Sequence, residues 1–264
     1  MRDLRTTLAQ VDQVWEDKTA NLQHFEQLLA GVSDTDLILL PEMFQTAFSM
    51  NGEALAETMD NSEALSWLKR MAQEKKAAFY TSFIVRDKGK LHNRGVFVEP
   101  SGAVHIYDKR KTFGLAGEDA VYAAGTDEQI VNYLGWKINL QICYDLRFPE
   151  NIRNGLLEDG SARYDVLIYV ANWPERRVSH WKTLLKARAI ENQCYVAGVN
   201  RVGADALELS YSGDSVVHSA LGEELVQLGA GEAIRTVSLS LRDLQEVRTK
   251  LPFLSDSSYR LFNR

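Results

Sequence analysis

Three side chains have the types and settings that acyl-transfer chemistry needs. Cys143 closes a run in which Ile138, Leu140 and Ile142 alternate with Lys137, Asn139 and Gln141, the period of two of a strand. The chain then turns polar at once, with Tyr144, Asp145, Arg147, Pro149 and Glu150. A thiol at a strand exit, followed by a proline-stiffened charged loop, is where an α/β enzyme holds a nucleophile. Read alone, a free cysteine is more often a small buried hydrophobe. Two further strand exits change the balance. Glu42 follows Pro41 after the apolar run at 36–40, and Lys109 follows Tyr107-Asp108. A thiol needs a base, and the oxyanion formed by its attack needs a cation or hydrogen-bond donors. Glu42, Lys109 and Cys143 supply base, electrophile and nucleophile. Singly, Glu42 is an ordinary carboxylate and Lys109 is one charge of Lys109-Arg110-Lys111. Strand exits on one edge of a sheet converge on one crevice, so their joint placement carries the functional reading.

The elements that must position them alternate. Residues 3–10, 36–40 and 77–85 read as strands, and 16–30 and 60–76 as helices; Asp60-Asn61-Ser62-Glu63 has the pattern of a capping box. Residues 90–99 and 103–108 form a hairpin around Pro100-Ser101-Gly102, and 109–127 is a polar loop. After Cys143 the sequence predicts a helix at 151–158. A doubly buried strand at 164–171 then ends in Asn172-Trp173-Pro174, and a helix follows at 178–192. Arg188 shares a helix face with Trp181, Leu184 and Leu185 and so requires an inward carboxylate partner. Residues 194–200, 212–218, 223–228 and 233–241 read as strands, 241–250 as a helix, and the last residues as a tail. Alternation early and hairpins later imply mixed sheets with helices outside. Asp36-LILL-Pro41-Glu42 also echoes Asp165-VLIYVANW-Pro174-Glu175, which two related halves would produce.

Composition narrows the class. Among 264 residues, 30 basic and 36 acidic side chains leave a net charge of −6, which argues against nucleic-acid binding. The N-terminus lacks an apolar signal region, and no run approaches the roughly 20 apolar residues of a membrane span. Two cysteines, Cys143 and Cys194, form no disulfide framework, so a reduced, cytoplasmic setting is expected. Five scattered histidines lack metal-ligand spacing.

On these residues the chain resembles the nitrilase superfamily of carbon–nitrogen hydrolases. Leu40-Pro41-Glu42-Met43-Phe44, Tyr107-Asp108-Lys109-Arg110 and CYDLRFPE at 143–150 match its glutamate, lysine and cysteine motifs. Ala187-Arg188-Ala189-Ile190-Glu191-Asn192 resembles the helix that follows in sequence, and Glu118 matches an additional active-site glutamate. PEMFQTAFSM at 41–50 is most similar to the ω-amidase branch, which hydrolyses 2-oxoglutaramate and succinamate. The resemblance implies one domain over 1–264, a four-layer α-β-β-α sandwich of two mixed sheets, and a homodimer. It implies a Glu42–Lys109–Cys143 triad working through a thioester on a small amide, with no metal or cofactor. Tyr144, Phe48, Asn172, Trp173, Arg176 and Lys111 are the expected substrate contacts; for a substrate carboxylate the loop after Asn172-Trp173-Pro174 offers Arg176 and Arg177, of which Arg176 is favoured, and Lys111 is the other candidate. Lys111-Thr112 departs from the family's usual residues. Arg147 and Glu150 read as a structural ion pair. A carbamoyl-compound or other small-amide hydrolase is the alternative within the family, and a non-catalytic binding protein on this scaffold the alternative outside it. A papain-like Cys–His pair would leave Glu42 and Lys109 unexplained.

Overall fold

A computed structural model describes residues 2–256, so the expected C-terminal tail lies largely outside the described residues. The first part of the chain runs β1 (Leu4–Gln10), α1 (Lys18–Leu29), β2 (Leu37–Leu39), α2 (Gly52–Leu55) and α3 (Glu63–Lys75). It continues with β3 (Ala78–Asp87), β4 (Lys90–Val98) and β5 (Val104–Asp108). Next come α4 (Glu118–Val121), β6 (Ile130–Tyr133), β7 (Trp136–Ile142), β8 (Val166–Ala171), α5 (Val178–Asn192) and β9 (Tyr195–Asn200). Short strands β10 (Val202–Ala204), β11 (Ser210–Ser212), β12 (Val216–His218) and β13 (Glu224–Gln227) precede β14 (Ala233–Leu239) and α6 (Leu241–Lys250).

Two six-stranded sheets result, ordered β14-β1-β2-β3-β4-β5 and β13-β12-β9-β8-β7-β6, beside the small pair β10-β11. From β14 in one sheet and β6 in the other, the pairings run alike: one antiparallel, two parallel, two antiparallel. The two echoing segments are β2 and β8, which occupy the third place in this order in their own sheets.

The pleat of the strands builds the layers. Leu37 and Leu39 of β2 pack with the second sheet's Ile138, Leu140 and Ile142, while Ile38 and Leu40 pack with Phe25 and Leu29 of α1 and Trp67 and Leu68 of α3. On the far side, Trp181 and Leu185 of α5 press against Gly198 in β9, closely enough that a Cβ there would collide with both. The order is helices, sheet, sheet, helix: the four-layer sandwich. The caps behave as the sequence predicts in part. The Ser62 side chain accepts from the Leu65 N–H at 2.9 Å and starts α3, and Asp17 caps α1 in the same way. The helix expected at 151–158 does not form. Asn154 is buried there, and its side chain bonds the carbonyls of Tyr164 and Asn192 and the Gly155 N–H, so those residues are held as irregular chain. The strand expected at 212–218 is split at Gly213 and Asp214, both at positive φ.

Candidate active site

Four elements deliver the chemistry to one end of the sandwich. Glu42 lies just past β2, Lys109 just past β5, Cys143 just past β7 and Asn172 just past β8. The first two belong to one sheet and the last two to the other. The Lys109 exit is pinned by the Gly125 N–H, which donates to the Lys109 carbonyl at 2.9 Å. A Cβ on Gly125 would sit 2.2 Å from the Asp108 carbonyl oxygen, so only glycine allows this approach. Cys143 has φ +44°, a left-handed conformation that a non-glycine residue adopts only when its surroundings hold it there.

Lys109 is buried between two carboxylates. Its Nζ donates to Glu42 Oε1 at 2.8 Å and to both oxygens of Glu118 at 2.9 Å. All three side chains are at most 1% exposed. Burial alone would drive the ammonium pKa down; the adjacent Glu118 and Glu42 more than reverse this, and the net shift is upward. Lys109 is therefore a fixed cation. Glu118 comes from the first turn of α4 and also accepts the Phe113 N–H at 2.6 Å. Glu42 Oε2 accepts the Asn172 N–H at 3.0 Å, and the Glu42 carbonyl accepts from Asn172 Nδ2 at 2.5 Å, so the two sheets are joined at the acid itself. Cys143 lies beside them at 9% exposure, its Sγ 4.0 Å from the Asn172 carbonyl oxygen. Burial and then Glu42 raise its thiol pKa well above the ordinary value, against the opposing pull of Lys109. At neutral pH the resting sulfur is a thiol.

A cavity of about 450 Å³ opens over this group. Phe48, Tyr144, Asn172, Trp173 and Arg176, all expected contacts, line it together with Lys109 and Cys143. The Phe48 ring centroid is 5.3 Å from Lys109 Nζ. Lys111 is not among the lining residues: its ammonium lies over the Phe148 ring at 4.7 Å, and its backbone N–H points into the protein at Asp145. Arg147 does not pair with Glu150, which the turn at Pro149–Asn151 carries out to solvent. Its guanidinium instead stacks on Trp173 at 4.7 Å, meets His180 Nδ1 at 3.2 Å and lines the cavity.

The comparisons agree with this geometry. Residues 5–249 match the family model described as Carbon-nitrogen hydrolase. The chain belongs to the carbon–nitrogen hydrolase family. It is 44% identical over 264 residues to Omega-amidase YafV of Escherichia coli strain K12, covering 99% of this chain and all of that one. It is 33% identical to the 2-oxoglutaramate amidase of Paenarthrobacter nicotinovorans, covering 97% and 92% of the two chains. The crystal structure of XC1258 from Xanthomonas campestris, a CN-hydrolase superfamily protein with an arsenic adduct in its active site, superposes with a TM-score of 0.95. That match has 40% identity and covers the whole of both chains.

Asn93 escapes sequence reasoning, and Arg177 enters it only beside the favoured Arg176. Asn93, in the middle of β4, donates through Nδ2 to Glu42 Oε1 at 2.8 Å and Glu118 Oε1 at 3.1 Å, and its carbonyl accepts the Lys109 N–H at 3.0 Å. Its only sequence signal is a polar residue at an inward strand position. Arg177 is half-buried, lines the cavity and stacks over Phe113 at 5.2 Å. Burial, then Arg176 and Arg147, lower its pKa. Among the described residues, none of these three guanidiniums has a carboxylate within ion-pair distance, whereas the cavity's Asp205 is satisfied by the N–H groups of Leu207 and Leu209 and by the Tyr211 hydroxyl.

Proposed function

We propose that this hydrolase is an ω-amidase: it cleaves the terminal amide of a small dicarboxylic-acid monoamide, of the 2-oxoglutaramate or succinamate type, to acid and ammonia. The observation that carries the substrate class is the trio Arg147, Arg176 and Arg177 at the cavity wall, cationic and without internal counterions. A cavity built this way favours a ligand that brings its own carboxylate, because a guanidinium binds a carboxylate through paired charge-assisted hydrogen bonds. The names of the Escherichia and Paenarthrobacter relatives point the same way.

The geometry supports the following course for the reaction. Glu42 takes the Cys143 proton as sulfur bonds to the amide carbon, because the raised thiol pKa leaves little free thiolate beforehand. Lys109 and the Tyr144 backbone N–H stabilise the resulting oxyanion. The C–N bond breaks, Glu42 returns the proton to the departing nitrogen, and ammonia leaves a thioester on Cys143. Glu42 then takes a proton from water as its oxygen attacks the thioester; the C–S bond breaks and the proton returns to sulfur. Glu118 holds Lys109. No step calls on a metal or organic cofactor.

The same proposal includes a single domain over 1–264, a homodimer and a cytoplasmic location. Two buried, unpaired cysteines fit a reducing compartment. Ammonia release from a panel of 2-oxoglutaramate, succinamate, glutamine, asparagine, carbamoyl-amino acids and a nitrile tests it. Preference for carbamoyl compounds or the nitrile removes the ω-amidase reading, and turnover of nothing by folded protein leaves a binding protein.

A further inference from the structure

We propose that Asp145 is a positioning residue, a buried carboxylate that ties the backbone before Cys143 to the backbone after Lys109 and so sets the distance between nucleophile and cation across the two sheets. The inference rests on the reaction proposed above. Asp145 is fully buried. Its Oδ2 accepts the Ile142 N–H at 3.0 Å and the Tyr107 O–H at 2.8 Å, and its Oδ1 accepts the Lys111 N–H at 2.9 Å. Ile142 ends β7 in the second sheet and is bonded to Cys143. Tyr107 lies in β5 of the first sheet, and Tyr107 and Lys111 bracket Lys109 at two residues on either side.

A carboxylate is an expensive tie. Burying a charge is costly unless hydrogen bonds and charges replace its hydration. Among the described residues Asp145 has no ion-pair partner, and burial pushes its carboxyl up to about 6 in spite of the Ile142 N–H and Lys109. What the charge provides is acceptor capacity. Three donors converge from two directions, and an asparagine has one oxygen for them and turns an NH₂ toward the others. Cys143 needs such a tie, because its left-handed backbone is not one the residue adopts unaided.

The test compares wild type with Asp145→Asn and Tyr107→Phe, each rate being normalised to the Cys143 thiols titrated in native protein. Asp145→Asn is expected to lower kcat for succinamate ten- to a hundredfold with KM within threefold. Tyr107→Phe, which keeps the carboxylate and both backbone ties, is expected to lose three- to tenfold and covers the case in which the asparagine variant does not fold. The double variant should be within threefold of Asp145→Asn, since both act through one tie. A second readout needs no substrate: alkylation of Cys143 by a small neutral reagent at fixed pH should slow at least threefold in Asp145→Asn, because Lys109 is no longer held against the sulfur. Normalised kcat within twofold of wild type, a loss carried by KM, losses that multiply in the double variant, or an unchanged alkylation rate overturns the inference. A wild type that turns over no amide overturns the reaction instead, and the alkylation rate still decides the role of Asp145.

Discussion

Replacing Glu118 by glutamine removes one charge from the buried group and leaves its shape. The two glutamates share a single ammonium, so the effect can be worked from the distances. A contact at 2.9 Å between unit charges is worth about 6 kcal/mol at an effective dielectric constant of about 20. Two acceptors on one tetrahedral ammonium lie roughly 5 Å apart, and their mutual repulsion is about 3 kcal/mol on the same scale. The net loss from the variant is therefore about 3 kcal/mol, or about 150-fold if it falls wholly on the transition state. It should fall there. With Glu118 neutral, Glu42 is left as the sole counterion of Lys109, and a carboxylate held that way is a weaker base for the Cys143 proton. The amide nitrogen must also face either the Asn93 amide or the Phe113 N–H, each a donor. Expected for Glu118→Gln are a kcat lowered 30- to 150-fold, by the working above, a KM within threefold, and a reduced urea midpoint. Ammonia release and equilibrium unfolding measure these. A stable variant with kcat within threefold of wild type would refute the shared-ammonium argument. A raised KM at unchanged kcat would make Glu118 a substrate contact.

Cys143→Ala should leave less than about a hundredth of wild-type turnover with the fold retained, since no covalent route remains; residual activity above that sinks the thioester mechanism. Arg177→Met should reduce kcat/KM for succinamate about 10- to 150-fold, the loss of a charge-assisted hydrogen bond of about 1.5–3 kcal/mol, and leave a small neutral amide within twofold. The exposed Arg176→Met should change either substrate less than threefold, and equal losses on neutral and anionic amides would make these residues structural. His218 is buried, and burial lowers its pKa against the pull of Glu224. Its folded pKa is then below the unfolded value near 6.5, so the unfolded state takes up the proton first as pH falls, and stability is lost below about pH 6.5. The fall in Tm between pH 7.5 and 5.5 should be smaller in His218→Leu; equal falls would refute this.

Much of the site is legible in the sequence because strand exits announce themselves. Alternation in β7, the doubly buried runs of β2 and β8, and the turn after β5 place Glu42, Lys109, Cys143 and Asn172 within three residues of a strand end. The inward arginine of α5 was legible too, and its partner is local: Arg188 reaches Glu191 at 2.9 Å and the Leu146 carbonyl at 2.7 Å. Other features had no local signal. Asn93 is one polar residue inside a hairpin strand, and only the sheet-to-sheet approach reveals that two acids converge on it. Arg147 and Glu150 look paired at a spacing of three, but that pairing presumes a continuous helix, and Pro149 begins a separate turn. Lys111 stands two residues beyond Lys109, yet its side chain leaves the cavity because its backbone is fixed to Asp145.

The division of the site between two sheets explains why polar groups are buried where apolar packing would otherwise serve. Glu42 and Lys109 hang from one sheet, Cys143 and Asn172 from the other, so a small slide between sheets moves the thiol relative to its base and cation. Apolar contacts between stacked sheets resist separation but resist sliding weakly, being non-directional. Directional bonds do resist it, and several lie beside the chemistry. The Tyr80 hydroxyl crosses from β3 to the Gln141 carbonyl at 3.1 Å, Asn172 clasps Glu42 twice, and Asp145 joins Tyr107 to Ile142. At the opposite end the Tyr133 hydroxyl donates to the Asp36 carbonyl, Trp136 Nε1 to the Arg2 carbonyl and the Tyr195 hydroxyl to the Ser240 carbonyl, so that end is tied as well. The bonds at the catalytic end hold the register where misregistration would cost turnover. A site divided between two sheets needs such bonds, since neither sheet carries Cys143, Glu42 and Lys109 together.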